Sequence, residues 1–391
     1  MSRASHNVPA VIVGAGLNGL GVLRSLAAAG VPSVVVGTHG DEPAMRSRHG
    51  RKVFYDAAGG GEALLATLER VAAGAADRPV LILTMEESVV HVMAYYARLA
   101  TRFRMTLSAP DTLAPLLNKD GVRAAAEAAG LAIPRTLRIQ SAADVSGLDA
   151  LTPPLIVKPA RRDAGYEAAF SKAYRFDTHA PARELVERIL PVLPDVIVQE
   201  WIEGTDSDLY FCLQHLPADG AAPTSFVGRK IRSWPPRVGG TASCGPAPEA
   251  VEIIESTTAF FRQAGVHGLA SMEYKRDPRS GRYVVVEPTV GRTDFQEEVA
   301  TLNGVNLPLA AYRSACGLAS PPGGGSAAGR IWRERMSDTQ SAERTPAEET
   351  RTIEGARSVD ALWRIDDPGP ELARLASRVR VRLKRLLRSD R

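Results

Sequence analysis

Glu273 in "ASMEYK" and Glu287 in "VVVEPT" each interrupt an apolar, β-rich run, one on either side of the turn-like "PRSGR". On the two arms of a hairpin, such carboxylates would come together. Two inward carboxylates repel each other unless a cation lies between them, and hard oxygen ligands select Mg2+. Lys158 in "LIVKPA" and Lys172 in "SKAY" pose the same problem with the opposite sign. A lysine inside an apolar strand is costly unless its charge has a partner. Lys119 opens the helical stretch "KDGVRAAAEAAG", which stops at Gly130. The plainer alternative is a set of edge strands with solvated Lys and Glu. The apolar neighbours of Lys158 and Glu287 weigh against it.

A third feature is "VIVGAGLNGLG", where Gly14, Gly16 and Gly19 stand at G-x-G-x-x-G spacing between a strand-like and a helix-like run. Such a turn lets backbone approach an anion at a helix N-terminus. A dinucleotide site also needs an acidic residue ending the second strand. Here "SVVVG" runs into Gly37-Thr38-His39-Gly40, and Asp41 comes too late. NAD or FAD is therefore set aside in favour of a strand–turn–helix that holds no dinucleotide.

The elements that must position these residues fall into two patterns. Up to about residue 110, short β runs ("AVIVG", "SVVVG", "PVLILT") alternate with helical stretches, the order of a parallel sheet flanked by helices. Ligands in such sheets bind at the carboxyl ends of the strands. The glycine turn and "TMEES", which contains Glu86, both follow strands and are expected to face one crevice. From Asn118 onward strands and helices mix without βαβ alternation, as in an α+β body. "ASPPGGGSAAG" (319–329) reads as a linker, and "ELARLASRVRVRLKRLL" as an amphipathic helix.

Composition narrows the function class. The chain has 391 residues, enough for two or three domains. Its three cysteines are far apart and odd in number, which excludes a disulfide framework and fits a reducing cytoplasm. The seven histidines form no zinc-like spacing. No P-loop, nucleophile elbow or kinase signature is present, and no stretch reads as a signal peptide or membrane span. Between Glu371 and Arg391 there are eight basic and two acidic residues, so the chain's net charge of +4 becomes −2 for the rest. The basicity belongs to the tail, and no nucleic-acid partner is expected for the body. The tail either packs on the body or lies weakly on an anionic membrane surface, at its inner face.

In this order, "NKDGVRAAAEAAGLAIPRT", "LIVKPA", "VIVQEWIEGTDSD", "RKIRSWPP", "GLASMEYKRD" and "VVVEPTVGR…LNGVNLP" resemble the ATP-grasp superfamily. Within it the chain is most similar to carboxylate–amine ligases and the D-aspartate-ligase-like group, down to the late "DDPGPELARL". The resemblance implies an α/β and α+β fold with a Rossmann-like domain over residues 1–115. An ATP-grasp domain would follow over 116–318, with a lid subdomain about 116–198 and a metal-binding subdomain about 199–318. Residues 319–391 would be linker and helical tail. It implies ATP and Mg2+ as cofactors, with Lys119, Lys158 and Lys172 on the nucleotide phosphates and Gln199, Glu200 and Ile202 on the adenine. Asp206 would hold the ribose, Lys230 and Arg232 would lie near the transferred phosphate, and Glu273 and Glu287 would hold magnesium. Arg292 would balance charge on the substrate carboxylate or its acyl phosphate. Gly14, Gly16, Asn18, Gly19 and Glu86 would line the organic substrate's site.

Two departures stand out. Thr289 occupies the place of the usual Asn ligand, and the loop 160–170 has one glycine, Gly165, beside Arg161 and Arg162. The implied function is ATP-dependent joining of a small-molecule carboxylate, through an acyl phosphate, to an amine. The alternatives are a non-catalytic ATP-binding protein, which Thr289 favours, and an NAD- or FAD-dependent oxidoreductase.

Overall fold

The computed structural model describes residues 8–160, 164–171, 173–319 and 329–377. The chain divides into two compact units. The larger holds Met1–Asn118, Thr205–Glu273 and Glu287–Arg391, and the smaller holds Lys119–Gly204 and Tyr274–Val286.

The larger unit begins with a parallel sheet of β1 (Ala10–Val13), β2 (Ser33–Gly37), β3 (Arg51–Phe54), β4 (Val80–Leu83) and β5 (Arg104–Met105), in the order β3-β2-β1-β4-β5. The central strands AVIV, SVVVG and VLIL are buried throughout, as strands covered on both faces must be. Strands β3 and β5 lie at the edges. Neither carries an apolar run, and sequence patterning had not marked them. Gly14 takes φ +101°, and a Cβ on Gly19 would lie 2.0 Å from the Gly14 carbonyl oxygen. Helix Leu17–Ala28 can therefore start directly against the turn only because position 19 has no side chain.

The smaller unit is built on an antiparallel sheet of β6 (Thr136–Ile139), β7 (Leu155–Pro159), β8 (Tyr174–Phe176) and β9 (Val196–Glu200), in the order β6-β9-β7-β8. It has its own core, including Leu155, Val157, Val186 and Val198. The larger unit also contains most of a seven-stranded sheet of β10 (Leu209–Leu216), β11 (Thr224–Trp234), β12 (Gly240–Pro246), β13 (Gly268–Arg276), β14 (Tyr283–Val290), β15 (Arg330–Arg333) and β16 (Arg357–Asp360). Its order is β14-β13-β10-β11-β12-β15-β16. The expected hairpin across "PRSGR" is β13–β14, its turn closed by Asp277 accepting from the Arg279 amide and the Ser280 hydroxyl.

The expected boundaries differ from this arrangement in two places. Residues 319–391 are not linker and tail alone, because β15 and β16 extend the seven-stranded sheet beyond β12. The first 115 residues share a core with later segments: Ile12, Leu20 and Leu23 pack in one cluster with Phe211, Val299, Tyr312, Trp332 and Leu362. The buried Arg24 fastens this assembly, donating to Asp367 Oδ2 at 3.0 Å and to the carbonyls of Ala361 and Leu362. The last described residues, 369–377, are helical, with Leu372 and Leu375 exposed and Glu371 buried against Arg374. The basic stretch beyond them, with Lys172, Arg161 and Arg162, lies outside the described residues. Among the described residues no helix is long and apolar enough to cross a membrane.

Candidate active site

Strand alternation assembles the charged cluster. On β13, Leu269 enters the core of the larger unit, so Ser271 and Glu273 follow it on the same face. On β11, Phe226 enters that core, and Gly228 and Lys230 share its face. Lys230 is buried and donates to Glu273 Oε1 at 2.8 Å. Burial alone would lower the lysine's pKa, but Glu273, followed by Asp294 and Glu287, outweighs it, and the net shift is upward. Its ammonium is thus held charged inside the protein.

Glu287 is accessible yet hemmed in by protein. Burial, then Glu273 and Asp294, push its carboxyl upward, while Lys230 and Arg292 pull the other way. Thr289 is half-buried and shares its face of β14. Arg292 donates to the Thr293 carbonyl at 3.0 Å. These carboxylates carry more negative charge than the lysine and arginine offset, and together with Thr289 they offer oxygen donors. That donor set fits a hard divalent cation, with Glu273 and Glu287 as carboxylate ligands and Thr289 as a neutral oxygen. Among the described residues, no three acidic, His or Cys side chains are close enough to hold one ion together.

Asn18, expected at the substrate site, has a different role. Its amide donates to the carbonyls of Thr84 at 2.9 Å and Thr293 at 3.0 Å, and its Oδ1 accepts from the Thr293 hydroxyl at 2.8 Å. The side chain is buried and wholly engaged, stapling the glycine turn to the segment after β14. Gly16 behaves differently: a Cβ there would have nothing within 4 Å, so the helix N-terminus faces open space. Glu86 is exposed at the start of helix Glu86–Ala94, beyond β4. A carboxylate does stand at the end of β2, supplied by Glu42, whose Oε2 accepts from the amides of Thr38 at 2.7 Å and His39 at 2.8 Å. It is folded onto its own loop.

In the smaller unit, Lys158 on β7 donates to Gln199 Oε1 at 3.0 Å, and Gln199 Nε2 donates to Thr136 Oγ1 at 2.8 Å. Three adjacent strands thereby fix one lysine. Glu200 Oε1 accepts from the Thr152 amide at 2.8 Å. Ile202 follows β9 and is half-buried, and Lys119 opens helix Lys119–Ala128.

The chain is 27% identical over 205 residues to a D-aspartate ligase of Enterococcus faecium, and the match covers 49% of this chain and 48% of that one, about half its length. No protein-family model matches. N5-carboxyaminoimidazole synthetase of Staphylococcus aureus, solved with ADP, superposes with a TM-score of 0.63 at 12% identity, covering 82% of this chain and 80% of that one. L-amino acid ligase of Bacillus licheniformis gives 0.56 at 15% identity, covering 81% and 76%.

The fold is ATP-grasp. Two residues that the ATP-grasp resemblance assigned to ligand are instead engaged within the protein. Asp206 is buried, and its two oxygens accept from the Ser233 and Arg237 amides at 2.8 and 2.9 Å, fixing the β11–β12 connection. Arg232 pairs with Asp338 Oδ1 at 2.9 Å, on a helix of the C-terminal segment, and not with the carboxylates around Lys230. A bulge between Lys230 and Arg232 breaks the alternation that would have kept them together. Asp294, in contrast, was missed by sequence reading. It lies on irregular chain after β14, where no periodicity says which way a side chain points.

Proposed function

We propose that this protein is an ATP-dependent ligase that joins a carboxylate to an amine with formation of an amide bond. The observation that carries the reading is the buried Lys230 beside Glu273, with Glu287 on the neighbouring strand, in a chain of ATP-grasp fold.

In this reading Lys119, Lys158 and Lys172 meet the nucleotide's phosphates, and Gln199, Glu200 and Ile202 hold its adenine. Gln199 also fixes the lysine beside it. Magnesium, held by Glu273 and Glu287 with Thr289 as a neutral oxygen, would supply charge neutralisation across the phosphates. The substrate carboxylate attacks the γ-phosphate, giving an acyl phosphate and ADP. The amine then displaces phosphate. Arg292 offsets the charge on the carboxylate and the acyl phosphate. Little covalent chemistry falls to the protein, and positioning accounts for most of its work. The open edge at Gly16, at the N-terminus of helix Leu17–Ala28, suits an anionic group of the organic substrate, with Glu86 at the same end of the sheet. Three unpaired cysteines support a reducing, cytoplasmic setting.

Phosphate release from ATP, measured against pools of amino acids and other carboxylates with mass spectrometry of the products, tests the reading. An amide product with stoichiometric phosphate supports it. ATP binding with no phosphate release from any pool would turn the assignment to a non-catalytic ATP-binding protein, the reading Thr289 favours.

A further inference from the structure

The carboxylate that sequence reading missed is held more firmly than either assigned ligand. Asp294 Oδ2 accepts from the Ser271 hydroxyl at 2.9 Å and from Gln296 Nε2 at 3.3 Å, and Oδ1 accepts from the Phe295 amide at 2.8 Å. Ser271 shares a face of β13 with Glu273. Gln296 is itself buried and fixed by the Thr241 hydroxyl at 3.2 Å. The preceding residue, Thr293, is locked by Asn18 and by its own amide donating to the Leu83 carbonyl at 3.1 Å. Asp294 lies close enough to Glu287 and Lys230 to influence both. Glu297, three residues further along the chain, is buried, and its Oε1 has no hydrogen-bond partner among the described residues.

Several hydrogen bonds and a staple between distant segments thus hold an anion beside other anions. Among the described residues, its hydrogen bonds come from Ser271, Gln296 and the Phe295 amide, and no salt bridge joins it to a lysine or arginine. Like charges held together in this way serve a cation from outside. We propose that Asp294 supplies the third negative charge of the cation site, compensating for the neutral oxygen of Thr289. It acts through water on the ion, since among the described residues no three acidic groups are close enough to ligate one ion directly. Mg2+ dehydrates reluctantly and keeps several of its waters, so a carboxylate one water away still orients and binds it. Asn18 and Ser271 are positioning residues for this carboxylate. The inference rests on the reading of Glu273 and Glu287 as cation ligands.

The test uses Mn2+ as a spectroscopic stand-in, with the full chain saturated by a non-hydrolysable ATP analogue and bound Mn2+ measured by electron paramagnetic resonance. Asp294→Asn is expected to weaken Mn2+ binding about tenfold, and Ser271→Ala, which keeps every charge, by about threefold. Thr289→Ala is expected to change it by less than Ser271→Ala does. Thermal unfolding of the metal-free variants identifies loss of fold. Should Asp294→Asn prove unfolded, Ser271→Ala carries the test alone. Wild-type Mn2+ affinity in a folded Asp294→Asn, with binding lost in Glu287→Gln, would overturn the inference and leave the ligand assignment standing. Wild-type affinity in Glu287→Gln as well would overturn both.

Discussion

Replacing Lys230 by Met tests whether the buried cluster is built for a cation, and it requires no knowledge of the substrates. At 2.8 Å, the Lys230–Glu273 attraction is about 6 kcal/mol at an effective dielectric constant of 20, an upper bound on what the pair contributes. Breaking a fully buried pair destabilises by about 3–5 kcal/mol, because the remaining charge is left uncompensated. Glu273 keeps a side-chain exposure of 16% against 6% for Lys230, so water recovers part of that loss. The expected destabilisation is therefore about 2–3 kcal/mol, a fall of about 3–5 °C in Tm for a unit of this size. The direction of the metal response is the decisive part. With Lys230 gone, Arg292 is left to offset Glu287, and a divalent cation takes the lysine's place. At ten times its Kd, Mg2+ would restore about 1.4 kcal/mol. Thermal unfolding of wild type and Lys230→Met, each with and without Mg2+, should show a marked upward shift in the variant and little in wild type. No shift in the variant would show that these carboxylates do not form a cation site.

Glu287→Gln should abolish Mg2+-dependent phosphate release from ATP and leave Tm close to wild type, because the carboxylate is accessible and stabilises nothing that the amide does not. Lys158→Ala should weaken ATP binding by calorimetry at least about tenfold, the worth of one charge-assisted contact to phosphate, with Gln199 left unpaired on one side. Asp367 accepts from the Arg48 amide, Ser47 and Arg24, which together outweigh the burial that would raise its pKa and hold it below the usual carboxylate range. Its stabilisation is thus present above the unfolded-state pKa of about 4 and is lost as pH falls through the lower folded value. Asp367→Asn should accordingly lower Tm at pH 7, and its deficit against wild type should shrink in acid. Gly19→Ala should destabilise strongly and Gly16→Ala hardly at all, since a Cβ meets backbone at 2.0 Å in the first and open space in the second.

Sequence patterning was informative where periodicity and burial agree, and blind elsewhere. The buried runs AVIV, SVVVG and VLIL announced the parallel sheet, whereas its edge strands, RKVF and the two-residue β5, carry no apolar signature. Strands β15 and β16 were hidden for a different reason. They are short segments in polar sequence, and what makes them strands is the unpaired edge of β12, a partner remote in the chain. The same distinction divides the candidate site. Glu273, Glu287 and Lys158 were legible because a charge inside an apolar strand needs an explanation, whereas Lys230 was legible only through the family resemblance. Arg232 and Asp206 were named by the resemblance alone, and their partners, Asp338 and the amides of Ser233 and Arg237, come from within the protein. A charge that matches a family position therefore has a partner, without the match showing whether that partner is a ligand. What separates the two groups is residual electrostatic debt. Asp206 and Arg232 find donors or acceptors within the protein, while around Lys230 the carboxylates outnumber the cations and Asp294 is held among them by hydrogen bonds. In the proposed reading, the unbalanced cluster is where the ligand binds.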